Sequence, residues 1–141
     1  MKNGRLASVV VVVCALAGFT LLSADAQAQK TKGKTRAALT KQLMKGIVAA
    51  NCGELKKALD ADAPNWEDIS MRAAVLNEAG HFLMDDGRCP DAEWANAAKA
   101  LQTDSAAVLA AAEKMDAAAA KAAFGKLTAE GCGACHKAHK K

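Results

Sequence analysis

The chain has 141 residues, 52% of them hydrophobic and only 4% aromatic, and its 19 basic and 15 acidic side chains leave a formal charge of +4. Such a length supports one domain rather than two. No basic stripe interleaved with aromatics occurs, which speaks against nucleic-acid binding, and no Ser-His-Asp or paired-carboxylate arrangement marks an enzyme.

Lys2 and Arg5 precede an apolar run from Leu6 to Leu22. Both Ala24-Asp25-Ala26 and Ala26-Gln27-Ala28 are small-x-small cleavage sites, so residues 1–28 read as a secretory signal peptide. The run is too short and wrongly flanked for stable membrane insertion. Cys14, deep inside it, leaves with the signal. Export predicts a periplasmic protein, and its remaining 17 basic and 14 acidic side chains nearly balance. Residues 29–36, with Lys30, Lys32 and Lys34, read as a flexible solvated leader, and residues 37–141 as a single domain.

That domain reads as helix nearly throughout, because alanine dominates and no alternating apolar pattern survives outside the signal. Pro64-Asn65 ends one helix and caps the next, with Glu67 and Asp68 favourable in its first turn. Gly87-Arg88-Cys89-Pro90-Asp91 is a second break, whose proline opens the following helix. Lys114-Met115-Asp116 is a third, with Asp116 as cap. Four segments result, about 34–59, 65–86, 91–114 and 116–139. In the first, Met44 shares a face with Ala37, Thr40, Ile47, Val48 and Leu55; in the second, Ile69, Ala73, Leu76, Gly80 and Leu83 recur at helical spacing. Four amphipathic helices with short loops predict an all-α, antiparallel four-helix bundle.

Cys132-Gly133-Ala134-Cys135-His136 ends the last segment. C-x-x-C-H is the covalent haem attachment signature of c-type cytochromes. Two thiols one helical turn apart add to the two vinyl groups of one haem, and the next imidazole becomes the proximal iron ligand. Two other readings stay open. Cys132, Cys135, His136 and His139 form a C-x-x-C-H-x-x-H set that could hold zinc, though one terminal turn is cramped for it. A C-x-x-C thiol redox pair normally opens a helix in a strand-helix-strand fold, of which the sequence has no sign.

A four-helix bundle carrying C-x-x-C-H at the extreme end of its last helix resembles the class II c-type cytochromes, the cytochrome c-prime family. The resemblance covers the whole mature chain, and its specific motif is 132–140. That family follows the motif with two spacers, an aromatic and a basic residue; here Lys137 and Ala138 are the spacers, His139 replaces the aromatic and Lys140 keeps the charge. The resemblance implies one covalent haem c and, on the first helix, either an apolar residue that leaves the iron five-coordinate or a methionine that ligates it. Met44 falls at that position, which implies the low-spin, methionine-ligated branch. Thr40 stands where members commonly carry an arginine, so the charge near a haem propionate is absent or comes from Lys41. Members are often dimers through their first two helices, which makes a homodimer compatible with the resemblance.

His81 and Met84, near the end of the second helix, compete with Met44 for the iron. Met71 lies on another face, Met115 at a helix junction, and Trp66 and Trp94 pack between helices. Cys52 and Cys89 remain, an even number in an oxidising compartment, which favours a disulfide. An unbroken first helix would displace them by about 25 Å along the bundle, so the bond requires a helix break, placed at Asn51-Cys52-Gly53. The expected function is one-electron transfer to periplasmic redox proteins by an exported, non-enzymatic cytochrome with Cys132, Cys135, His136 and Met44 at its haem. The alternative is a five-coordinate protein binding nitric oxide or carbon monoxide.

Overall fold

The computed structural model describes residues 28–140, so the expected signal peptide, with Cys14 and both cleavage motifs up to Gln27, lies outside the described residues. After a 3-10 turn at Ala28–Lys30 come α1 (Thr40–Leu43), a π-helical stretch π1 (Met44–Ala49), α2 (Ala50–Asp60), α3 (Trp66–Met84), α4 (Ala92–Glu113), α5 (Ala117–Lys126), a second π-helical stretch π2 (Leu127–Gly133) and α6 (Ala134–His139). α1, π1 and α2 run on without a break, as do α5, π2 and α6, so four helical rods pack together as a bundle. No strand occurs among the described residues, and no helix there is long and apolar enough to cross a membrane.

The rods start where side chains satisfy the first unpaired amides. Asn65 accepts from the Asp68 N–H at 3.1 Å, Asp91 from Trp94 at 2.8 Å and Asp116 from Ala119 at 3.0 Å. Each such cap stabilises by about 1 kcal/mol. Asp91 rather than Pro90 therefore opens α4, and the proline sits just ahead of the cap.

Successive rods run antiparallel. Trp94 Nε1 donates to the Leu83 carbonyl at 2.8 Å and Asn77 Nδ2 to that of Gln102 at 2.7 Å, so numbers fall along α3 as they rise along α4. The fourth rod returns along α4 in the same sense, with Gly131 against Leu101 and His139 beside Trp94. Between them the rods bury Leu55, Ile69, Leu76, Val108 and Leu127. Gly80 brings α3 and α4 close, since a Cβ there would lie 2.9 Å from the Ala98 carbonyl oxygen.

The first helix starts at Thr40 rather than near 34, and the stretch expected to be a flexible leader is tied down. Asp86 accepts from the Thr35 N–H at 2.8 Å, the Thr35 hydroxyl at 2.9 Å and the Arg36 N–H at 3.1 Å. Lys34 N donates to the Asp86 carbonyl at 3.0 Å, and the Arg88 guanidinium, 1% exposed, donates to the Ala38 carbonyl at 2.8 Å. Asp86 adopts a left-handed φ of 59° and Gly87 one of 77°, which turns the loop back towards the leader. A string of backbone donors with no helix to satisfy them thus finds its partners in one loop carboxylate.

Burial alone would raise the Asp86 carboxyl, but hydrogen bonds from Thr35 and Arg36 and the Arg88 charge hold it below the ordinary carboxylate range. With the folded value below the unfolded one, this contribution is fully present above the ordinary value and is lost as pH falls through the lowered one. Asp86→Ala is expected to lower the melting temperature at pH 7, with the gap to wild type closing below about pH 4 in thermal scans followed by circular dichroism. Identical melting curves at pH 7 would show that the leader's tie carries no stability.

Candidate functional site

Where the first, third and fourth rods meet the end of the second, they line a cavity of about 490 Å³. Cofactor and ligand pockets commonly span roughly 300–1,000 Å³. Its walls are mostly apolar, with Val48 from π1, Leu83 from the end of α3, and Trp94, Ala97, Ala98 and Leu101 from one face of α4. Into it the fourth rod turns Cys132, Cys135 and His136, and the first rod turns Met44 and Cys52. Lys41, Lys45 and Lys140 stand at the rim and leave a cationic mouth.

Each of the two walls that carry donor atoms is π-helical in part. Met44 opens π1 and Cys132 closes π2 but for one residue. A π-turn is rare, costs regular hydrogen bonding and recurs at functional sites. In this chain two of them face one cavity. Gly131 lets π2 lie against α4, since a Cβ there would come within 3.3 Å of the Leu101 nitrogen.

The ionisation of the site follows from burial and one thiol pair. Cys132 donates to the Cys52 sulfur across the cavity; this draws the Cys52 thiol down to about 7 and pushes that of Cys132 well above the ordinary thiol range. Burial, then the charge of Asp91, pushes Cys135 up to about 11. Desolvation at the cavity mouth, then the Lys140 charge, lowers His136 below the ordinary imidazole value. A neutral imidazole is the form that binds a metal.

His139 packs inside the bundle. It is 3% exposed, meets Trp94 edge to face with centroids 5.3 Å apart, and holds Nε2 3.4 Å from Asp91 Oδ1. Its ligand atoms gather with those of Asp91 and Glu93, all within 4.8 Å of one another, rather than with Cys132, Cys135 and His136 as a zinc site would require. Trp94 is the wall residue that sequence reasoning missed, although its place in the first turn of α4, antiparallel to the last turn of α6, was the available signal.

The rival iron ligands lie elsewhere. His81 is exposed and Met84 packs on the core, neither of them lining the cavity, while Met71 and Met115 are 49% and 67% exposed. The helix break that a Cys52–Cys89 disulfide needs is missing: α2 runs through Asn51, Cys52 and Gly53 to Asp60, and both thiols are free. Cys89 instead donates to the Asp91 carbonyl at 3.3 Å.

These residues fit a haem. Two thiols one turn apart, an imidazole next to the second and a thioether from another helix share one largely apolar cavity. No family model matches the chain, and neither a curated protein nor a solved structure matches it.

Proposed function

We propose that the chain is an exported c-type cytochrome that carries single electrons, with one haem bonded to Cys132 and Cys135 and its iron held by His136 and Met44. The observation that carries this reading is the arrival of Met44, 92 residues from His136 in the chain, at the cavity that the C-x-x-C-H motif lines. When bound, haem supplies reversible exchange of one electron between ferric and ferrous iron. Everything else falls to the protein. Cys132 and Cys135 anchor the group as thioethers, so it stays bound in both oxidation states. His136, whose pKa desolvation and then the Lys140 charge lower, would present an imidazole nitrogen to the metal. Leu101, Trp94 and their neighbours keep water out, and a dry site raises the cost of the extra charge on ferric iron.

The bundle with its motif on the last turn is what the resemblance to the class II cytochromes implies, and Met44 on the cavity wall favours its methionine-ligated branch over the open, gas-binding one. In this reading the rim lysines attract haem propionates and the acidic faces of periplasmic redox partners, and no acid, base or nucleophile is required. Expressed with a signal peptide in cells that attach haem, the chain is expected to gain the mass of one haem and to keep its colour on a denaturing gel. A colourless protein of bare chain mass would remove the reading.

A further inference from the structure

Three thiols, not two, line the cavity, and the haem reading uses only Cys132 and Cys135. Cys52 sits on α2, facing π2 across the space, with its sulfur in a hydrogen bond with Cys132. Both are half-buried, packed against the core and on the wall of the same cavity. Cys135, one turn further, is buried and is not Cys132's hydrogen-bond partner.

We propose that, before haem is attached, Cys52 and Cys132 close a disulfide across the cavity, and that this bond and haem attachment exclude one another. The oxidant is a small-molecule disulfide such as oxidised glutathione. The Cys52 thiolate attacks it and displaces one glutathione as its thiolate; with Cys52 no longer charged, Cys132 gives its proton to that thiolate, and the Cys132 thiolate then attacks the Cys52 sulfur and displaces the second glutathione. Two protein thiols become one disulfide, and both electrons and both protons leave on two glutathione molecules. The Cys52 thiol, lowered to about 7, has the thiolate content that the first step needs near neutral pH. A sulfur held in that bond has no S–H to add to a vinyl group. The disulfide stands on the two thiols alone, whereas the exclusion rests on the haem reading above.

Trypsin separates the three relevant peptides, since Cys52 falls in 46–56, Cys89 in 89–99, and Cys132 with Cys135 in 127–137. The haem-free full chain is treated with oxidised glutathione, digested without reductant, and mapped by fragmentation mass spectrometry. The expected main product is 46–56 joined to 127–137 through Cys132, lost in Cys52→Ser and kept in Cys89→Ser. A loop closed inside 127–137, a link from 46–56 to 89–99, or four free thiols in these peptides would overturn the disulfide. Incubated with haem under attachment conditions, the oxidised chain is expected to take up none until it is reduced. Equal uptake by oxidised and reduced chains would overturn the exclusion. If the reduced chain takes up none either, the haem reading fails and the exclusion falls with it, while the peptide map still decides the disulfide.

Discussion

Met44→Ala is expected to turn a low-spin haem protein high-spin and to lower its reduction potential by on the order of 100 mV, a modest share of the roughly 0.8 V over which axial ligands set haem potentials. The thioether favours the ferrous state, so its loss lowers the potential. Among the described residues no other methionine is placed to replace it, because Met71 and Met115 are largely exposed and Met84 does not line the cavity. The substitution also opens the distal side, so carbon monoxide should bind the reduced variant faster than the wild type. Absorption spectra of both oxidation states, with a redox titration, check all three effects. A wild type that is already high-spin and unmoved by the substitution would take Met44 off the iron and bring the five-coordinate, gas-binding reading to the front.

The second large effect is on folding. Gly80→Ala is expected to destabilise by about 1–3 kcal/mol through overpacking, although alanine is the better helix former by about 1 kcal/mol. The new Cβ would lie 2.5 Å from Gln102 Cγ, 2.9 Å from the Ala98 carbonyl oxygen and 3.1 Å from the Gln102 nitrogen. The first neighbour can swing aside, but the other two are backbone, so α3 and α4 must separate. That separation strains the Asn77 and Trp94 hydrogen bonds that join them. Gly125→Ala is the control, since its Cβ would meet nothing within 4 Å on exposed α5, and it should gain roughly 0.5–1 kcal/mol. Urea unfolding of the three proteins gives both signs, and a more stable Gly80→Ala would show that the helices yield without cost.

What could be read from the sequence was local chemistry. Asn65 and Asp116 cap helices as their positions promised, because a cap is decided within four residues. The apolar stripes on the first two segments likewise placed Leu55, Ile69 and Leu76 in the core. The C-x-x-C-H spacing put Cys135 and His136 on one side of a helix, and the stripe through Met44 put that residue on the wall they share. What escaped depends on residues distant in sequence. The part played by Asp86 is one such case, since nothing near it in sequence shows that the amides of Thr35 and Arg36, some 50 positions away, have no helix to satisfy them. Arg88, read only as part of a loop, is buried because the leader's Ala38 carbonyl crosses it. Cys52 was assigned to Cys89 by counting cysteines, whereas helix packing sets it opposite Cys132.

The two π-stretches make the aim of the donor atoms a matter of residue count as much as residue type. Each residue of an α-helix advances about 100° around its axis. A π-turn holds about one residue more than an α-turn, so removing one position from 44–49, Gly46 for instance, whose surroundings are open, would restore ordinary winding and leave the flanking turns in phase. Thr40 and Cys52 would keep their places on the wall, while the residues within the stretch, Met44 and Val48 among them, would be re-aimed. A single-codon deletion would therefore disturb the wall at one place without substituting any of its side chains, and the same step in reverse is a short route by which a plain helix could gain the bulge.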